Sequence, residues 1–267
     1  MSILDAAHNV LKAATPSAKA EAAFALHDAA RLDFEIIPLS ETLCDSPARS
    51  DKPKLVPPHA VKRRRLGSQE GRNSLLHAVA HIEFNAIDLA ADMIARFSLD
   101  PRLHQDERPD FIRDWVKVCA EEAKHFSMIR SRLQGLGIDY GHYPAHGGLW
   151  ESALKTQHDI AARLAIAPMV LEARGLDVTP NMIEKLTQVG DHESAAILNI
   201  IYEDEIGHVS IGTRWFHHVA TMTNQDPRTY FRSLVTEFFQ GNVKPPFNIP
   251  ARDLAGLQKE YYMGLEA

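Results

Sequence analysis

Two glutamates in this chain are each followed, three residues on, by a histidine: Glu122 with His125 in EEAKHF, and Glu205 with His208 in EDEIGH. In a helix such a pair shares one face and offers a carboxylate and an imidazole to the same point in space. Two further glutamates, Glu83 and Glu172, precede the pairs, each on its own apolar stretch. The order Glu, Glu-x-x-His, Glu, Glu-x-x-His is the ligand set with which four antiparallel helices hold two iron or manganese ions. Carboxylate oxygens with a few imidazoles suit those metals better than a thiolate-preferring zinc or copper(I) site.

The neighbours at helical spacing show what kind of face each acid occupies. Glu122 falls among Trp115, Val118, Cys119, Phe126 and Ile129, and Glu205 among Leu198, Ile201, Tyr202, Val209 and Gly212. Glu83 lies among Leu76, Val79, Ala86, Ile87 and Ala90, and Glu172 among Ala165, Pro168, Met169 and Leu176. All four acids stand where hydrophobic residues belong. A buried, unpaired carboxylate is costly and tends to neutralise itself. Four on converging faces call for compensating positive charge, which two metal ions supply. Glu121, Glu203 and Asp204 fall off these stripes and read as solvent-facing or supporting groups. Tyr202, one turn before Glu205, is a candidate catalytic residue at the metals; a core tyrosine with its hydroxyl engaged is the plainer reading. His77, His81, Asn85, Asp88 and Asp92 form a separate polar face on the Glu83 helix, which makes His81 a structural residue rather than a ligand.

These residues need helices to position them. Residues 3–13 and 16–31 read as helices, with Thr15 as N-cap and Pro16 at the first helical position. From Asp33 to Ser68 prolines interrupt the chain, and the segment reads as an extended arm around the body. Long helices are expected over 70–97, from Pro109 to about Gly135, over 151–175 ending at Gly175, and over 191–219. A glycine-rich crossover carrying His142, His146 and Trp150 links the second to the third, and Thr179-Pro180 opens a short helix to about Gly190. Two shorter helices follow near 227–240 and 250–264. Strand-like alternation is almost absent. The expected fold is all-α: a ferritin-like four-helix bundle over 70–220, with N-terminal helices and an extended arm over 1–69 and C-terminal helices over 221–267, all one structural domain.

The bulk composition narrows the setting. A formal charge of −6 argues against a generally basic nucleic-acid binder. Two cysteines, Cys44 and Cys119, are too few for a disulfide framework and suit a reducing compartment. Without a signal-like start or an apolar run long enough to span a bilayer, the cytoplasm is the expected location and no membrane is involved.

The blocks HAVAHIEFNAIDLAADMIARF, DWVKVCAEEAKHFSMIRSRL, HDIAARLAIAPMVLEARGLDVTP and IIYEDEIGHVSIGTRWF resemble the bacterial DUF455 proteins, a family of ferritin-like, di-metal carboxylate proteins. The resemblance covers roughly residues 10–240 and extends to loop sequences such as EARGLDVTP. More distantly the chain is similar to the tRNA hydroxylase that oxidises the isopentenyl group of a modified adenosine. The family pattern implies ligands at Glu83, Glu122, His125, Glu172, Glu205 and His208, the six that the stripes single out.

The chemistry expected of such a site is oxidative. Two iron ions, or manganese or a mixed pair, would activate O2 to hydroxylate or otherwise oxidise an unidentified small-molecule or RNA-linked substrate. A cationic surface for RNA could come only from Lys62, Arg63, Arg64 and Arg65, with Lys52 and Lys54 nearby; such a run is more often a solvated arm. The alternatives are a ferroxidase or peroxide-consuming protein without organic substrate, and a structural bundle whose metals only satisfy buried carboxylates. A homodimer is compatible with any of these.

Overall fold

The computed structural model of the chain describes residues 2–61, 64–239 and 241–265. Its described residues are helical wherever they are regular, apart from a single parallel bridge between Leu55 and Ala145. The chain opens with α1 (Ile3–Lys12) and α2 (Pro16–Ala30), where the Thr15 hydroxyl accepts from the Ala18 amide and caps α2 as the sequence predicts. Among its described residues the arm after Ala30 holds no helix or strand beyond the short turn Pro58–Ala60.

The long helices α3 (Gln69–Phe97) and α4 (Arg108–Gly135) form a hairpin. Ser68 caps α3 through the Gly71 amide, and Pro109 sits in the first turn of α4, where a missing N–H costs nothing. A short helix, α5 (Gly148–Lys155), follows the crossover. The next rod is continuous: α6 (Ile160–Ile166), a π-helical segment (Ala167–Glu172) and α7 (Ala173–Gln188). It packs against α8 (His192–Met222), which also meets α4. The chain closes with α9 (Pro227–Phe238), α10 (Ile249–Leu254) and α11 (Lys259–Tyr262).

The third rod departs from the sequence expectation. It begins at Ile160 rather than 151, and neither Gly175 nor Pro180 ends it. A proline inside a helix deprives the carbonyl four residues earlier of its donor. Here that carbonyl is Leu176's, and the Asn248 side-chain amide donates to it at 3.1 Å. The C-terminal segment therefore supplies the bond that Pro180 removes, and the helix continues. The break falls instead at Thr156–Asp159, where the Asp159 carboxylate caps α6 through the Ala161 amide.

The polar face of α3 is buried rather than solvated, and each member has a partner from elsewhere in the chain. His77 Nε2 accepts from the Gly141 amide, and His81 bonds the Tyr140 hydroxyl and the His146 carbonyl oxygen. Arg49 donates to Asn85 Oδ1, Lys19 pairs with Asp88 with both side chains out of solvent, and Arg163 and Arg96 bond Asp92. Apart from Arg96, which lies one turn along α3 itself, these partners come from α2, the arm, the crossover and α6. The polar face thus docks the N-terminal half onto the bundle while the opposite face is left for the metal-ligand candidates. One connected set of buried hydrophobic side chains runs from Ile3 to Tyr262, so the terminal helices share the bundle's core.

Candidate metal centre

Of the six side chains singled out, Glu83 comes from α3, Glu122 and His125 from α4, Glu172 from the π-helical segment, and Glu205 and His208 from α8. Glu122, His125 and His208 are wholly buried and Glu83 nearly so. One ligand atom each from Glu83, Glu122, His125 and Glu205 lies within 4.8 Å of the others. Glu122 stands between the two imidazoles: its Oε2 is 3.7 Å from His125 Nδ1 and its Oε1 is 3.0 Å from His208 Nδ1. His125 Nδ1 is also 3.2 Å from Glu83 Oε2, and His208 Nδ1 is 3.7 Å from Glu205 Oε2. The two rings are 5.8 Å apart, centroid to centroid.

The far side of each imidazole is held by an acid from the opposite helix. His125 of α4 is bonded at Nε2 to Asp204 of α8 at 2.9 Å, and His208 of α8 is bonded at Nε2 to Glu121 of α4 at 3.0 Å. Each bond fixes its ring with Nδ1 aimed inward, the arrangement in which an outer carboxylate orients a metal-binding histidine. The signal was present in the sequence, since both Glu-x-x-His units are preceded by an acid, Glu121 in one and Asp204 in the other. Reading each helix face alone hides it, because the partner ring comes from the other helix. Glu203 bonds only its neighbour Asn199 on the surface.

Inside this frame His125 Nδ1 meets Glu83 Oε2, and five other polar atoms, though close to groups of opposite charge, lack a hydrogen bond. Both oxygens of Glu122, the Oε2 atoms of Glu172 and Glu205, and His208 Nδ1 are buried and make no hydrogen bond. Buried polar atoms are normally satisfied, so five orphans converging on one volume need an explanation. A pair of divalent cations fits them: the donors are carboxylate oxygens and imidazole nitrogens, and Glu122 offers one oxygen toward each histidine, as a bridging ligand would.

Protonation in the metal-free state shows the same strain. Burial, together with the Glu122 charge, pushes Glu83 up to about 8, and burial pushes Glu172 up to about 7. Glu205 is raised well above the usual carboxylate range, again by burial and by Glu122. Burial would raise Glu122 as well, but His125 and His208 hold it below the ordinary range. Both imidazoles are buried, which disfavours their charged forms; the surrounding carboxylates outweigh this and lift His125 to about 10 and His208 well above its usual value. Without metal, protons do part of the work of cations.

The π-helical segment ends on Glu172 and lies against α8 at Gly212. A Cβ on Gly212 would stand 2.3 Å from Pro168 Cβ, so only glycine lets the two backbones approach this closely. Tyr202 is placed differently from its catalytic expectation. Its hydroxyl accepts from Asn248 Nδ2 at 2.9 Å, which ties it to the C-terminal segment.

A cavity of about 170 Å³ opens onto the cluster, with Glu83, Glu122, Glu172 and Glu205 on its floor. His142 lies outside it, Trp150 Nε1 donates to the Asp45 carbonyl oxygen, and Leu149 is the residue of that region that lines the wall. In the basic run, Arg64 bonds Glu70 and Ser74 and stacks on Tyr143, and Arg65 is exposed. Lys62 and Arg63 lie outside the described residues.

Comparison with known proteins places the chain. The family described as "Protein of unknown function (DUF455)" matches residues 12–263. This chain belongs to the DUF455 family. An uncharacterized protein of Haemophilus influenzae is 40% identical to this DUF455 chain over 251 residues, covering 92% of the chain and 87% of the relative. No solved structure matches. No described helix of this DUF455 protein is long and apolar enough to cross a membrane.

Proposed function

We propose that the chain is a ferritin-like di-metal carboxylate oxidoreductase that binds two iron ions, or manganese or a mixed pair, through Glu83, Glu122, His125, Glu172, Glu205 and His208. The observation that carries the proposal is the convergence of unpartnered buried carboxylates and an imidazole nitrogen, framed by acids that aim both rings inward. Glu122 stands between the two histidines, Glu83 lies against His125 and Glu205 against His208, and Glu172 shares the cavity floor with Glu205. An iron pair held there supplies O2 activation and the oxidation of a C–H bond.

The protein's own contributions are positional. Asp204 and Glu121 hold the imidazoles in one tautomer, with Nε2–H donating to the outer carboxylate and the Nδ1 lone pair facing inward. The helices bury Glu83, Glu122, His125 and His208 away from water, and the largely apolar cavity leaves the cluster open to an organic group. That opening favours an oxidase or oxygenase over a purely structural bundle, which has no use for it.

The test is metal content with a defined oxygen challenge. Anaerobic loading with ferrous iron should give two ions per chain, and Glu122→Ala or Glu205→Ala should cut this to one or none. Exposure to O2 then separates two readings: rapid turnover of iron without substrate indicates a ferroxidase, and slow turnover an enzyme awaiting its substrate. If wild-type protein holds no more than one ion and the two variants match it in metal content and stability, the di-metal reading fails.

A further inference from the structure

The cavity that reaches the carboxylate cluster has a size, a wall and a rim, and together they define a class of ligand. Between the acids and the rim its walls are mostly aliphatic, with Val79 and Ala86 on α3, Leu171 in the π-helical segment, Val178 on α7, and Leu198 and Ile201 on α8. At about 170 Å³ it slightly exceeds the roughly 150 Å³ apolar cavity that takes up benzene in a well-studied engineered protein. One buried ring or a chain of about six carbons therefore fills it.

The rim carries the polar information. Among the described residues Arg174 is the one cationic side chain lining the cavity. Its Nη1 is fixed by the Lys244 and Pro246 carbonyl oxygens at 2.7 and 3.2 Å, with Asp177 Oδ2 at 3.4 Å. Among the described residues its Nε and Nη2 make no hydrogen bond, and the side chain is 41% exposed. A guanidinium pinned by one nitrogen and open along its other edge is prepared for a bidentate anion. Ile82, half exposed, shares the lining and extends the apolar wall toward solvent.

We propose that the cavity binds a small organic acid: an apolar group of five to seven carbons lies over Glu83, Glu122, Glu172 and Glu205, and its anionic end sits at Arg174. The proposal rests on the metal-centre reading only for what happens at the buried end, since binding needs just the walls and the arginine. Carboxylates and phosphate monoesters share this recognition chemistry, and the probes below separate them.

The experiment is calorimetric titration of the purified full-length protein with hexanoate, hexyl phosphate, hexan-1-ol and hexylammonium, and with the straight-chain acids from butyrate to decanoate. Hexanoate or hexyl phosphate should bind at least tenfold tighter than hexylammonium, and whichever anion leads names the head group. Affinity should rise about fourfold per methylene and level off near seven carbons, when the cavity is full. Arg174→Gln should abolish the preference for anions while hexan-1-ol still binds. Ala86→Leu and Val178→Phe, which shrink the cavity at two separate walls, should each weaken hexanoate more than tenfold with the melting temperature retained in at least one of them. Hexylammonium binding as well as hexanoate, affinity that climbs undiminished to decanoate, or folded cavity-filling variants that bind normally would overturn the proposal. Because titration with metal is a separate measurement, protein that binds hexanoate but not two metals defeats the metal reading alone, and the reverse result defeats only this one.

Discussion

At the scale of single residues, the side chains around the cluster divide into those that face inward and those that hold them. Asp204 and Glu121 belong to the second kind: each touches the outer nitrogen of a histidine and points away from the cluster. Replacing them with the isosteric amides keeps shape and removes charge. Asp204→Asn and Glu121→Gln should each weaken metal binding about 10- to 100-fold, measured by competition with a chelator, with little change in helical content. Equal affinity in both variants would mean that the outer acids do not orient the rings. Residue-scale legibility was high for Glu83 and Glu172, because a carboxylate on an apolar stripe is conspicuous in a single helix. It was low for the holding acids, since a side chain's partner on another helix leaves no mark in the periodicity of its own. For the same reason the partner that engages the Tyr202 hydroxyl, Asn248 far along the chain, left no mark in the sequence around Tyr202.

At the scale of elements, the feature that most shapes the site is the π-helical segment between α6 and α7. A π turn widens the helix and shifts the phase of everything after it, and such turns recur at functional sites. Here the turn ends at Glu172, and Pro168 within it nests against Gly212 of α8. Gly212→Val should force the two rods apart. The expected outcome is a loss of about 1–3 kcal/mol in stability by urea unfolding, accompanied by weaker metal binding because Glu172 moves with the segment. A variant that lost stability yet bound metal normally would separate this contact from the site. The sequence marked four long helices well and their ends poorly on the third. Pro180 is a genuine breaker in isolation, and the amide that Asn248 gives the Leu176 carbonyl explains why the helix passes through it. The polar face of α3 was seen as a face but not as a buried one, because Lys19, Arg49 and the crossover reach it through tertiary packing.

At the scale of the whole molecule, the cluster ties stability to pH. Glu83 and Glu172 titrate near 8 and 7 in the fold, and His125 near 10, all above their values in an unfolded chain. A group whose folded value is raised contributes stability that is fully present below its unfolded value and lost as pH rises through the folded one. The depressed groups act against this only weakly: Glu122 is deprotonated in both states at neutral pH and above, and His77 and His81, near 4 in the fold, stop contributing about one pH unit above their unfolded value of 6.5. Between pH 7 and 8.5 the metal-free protein should therefore lose stability, with its melting temperature falling by about 5 °C or more. With metal bound the same ligands must be deprotonated, so loading should become tighter over that interval and the melting temperature should hold or rise. Scanning calorimetry of chelated and metal-loaded protein at the two pH values checks both signs at once.

The crossed acids have one more consequence. Each Glu-x-x-His helix carries the group that aligns the other helix's histidine, so neither half of the centre is self-sufficient. A lesion written in α8 at Asp204 is read in α4 at His125, and one written in α4 at Glu121 is read in α8 at His208. The two helices behave as mutual templates: any change that slides one past the other spoils both ligand pairs together.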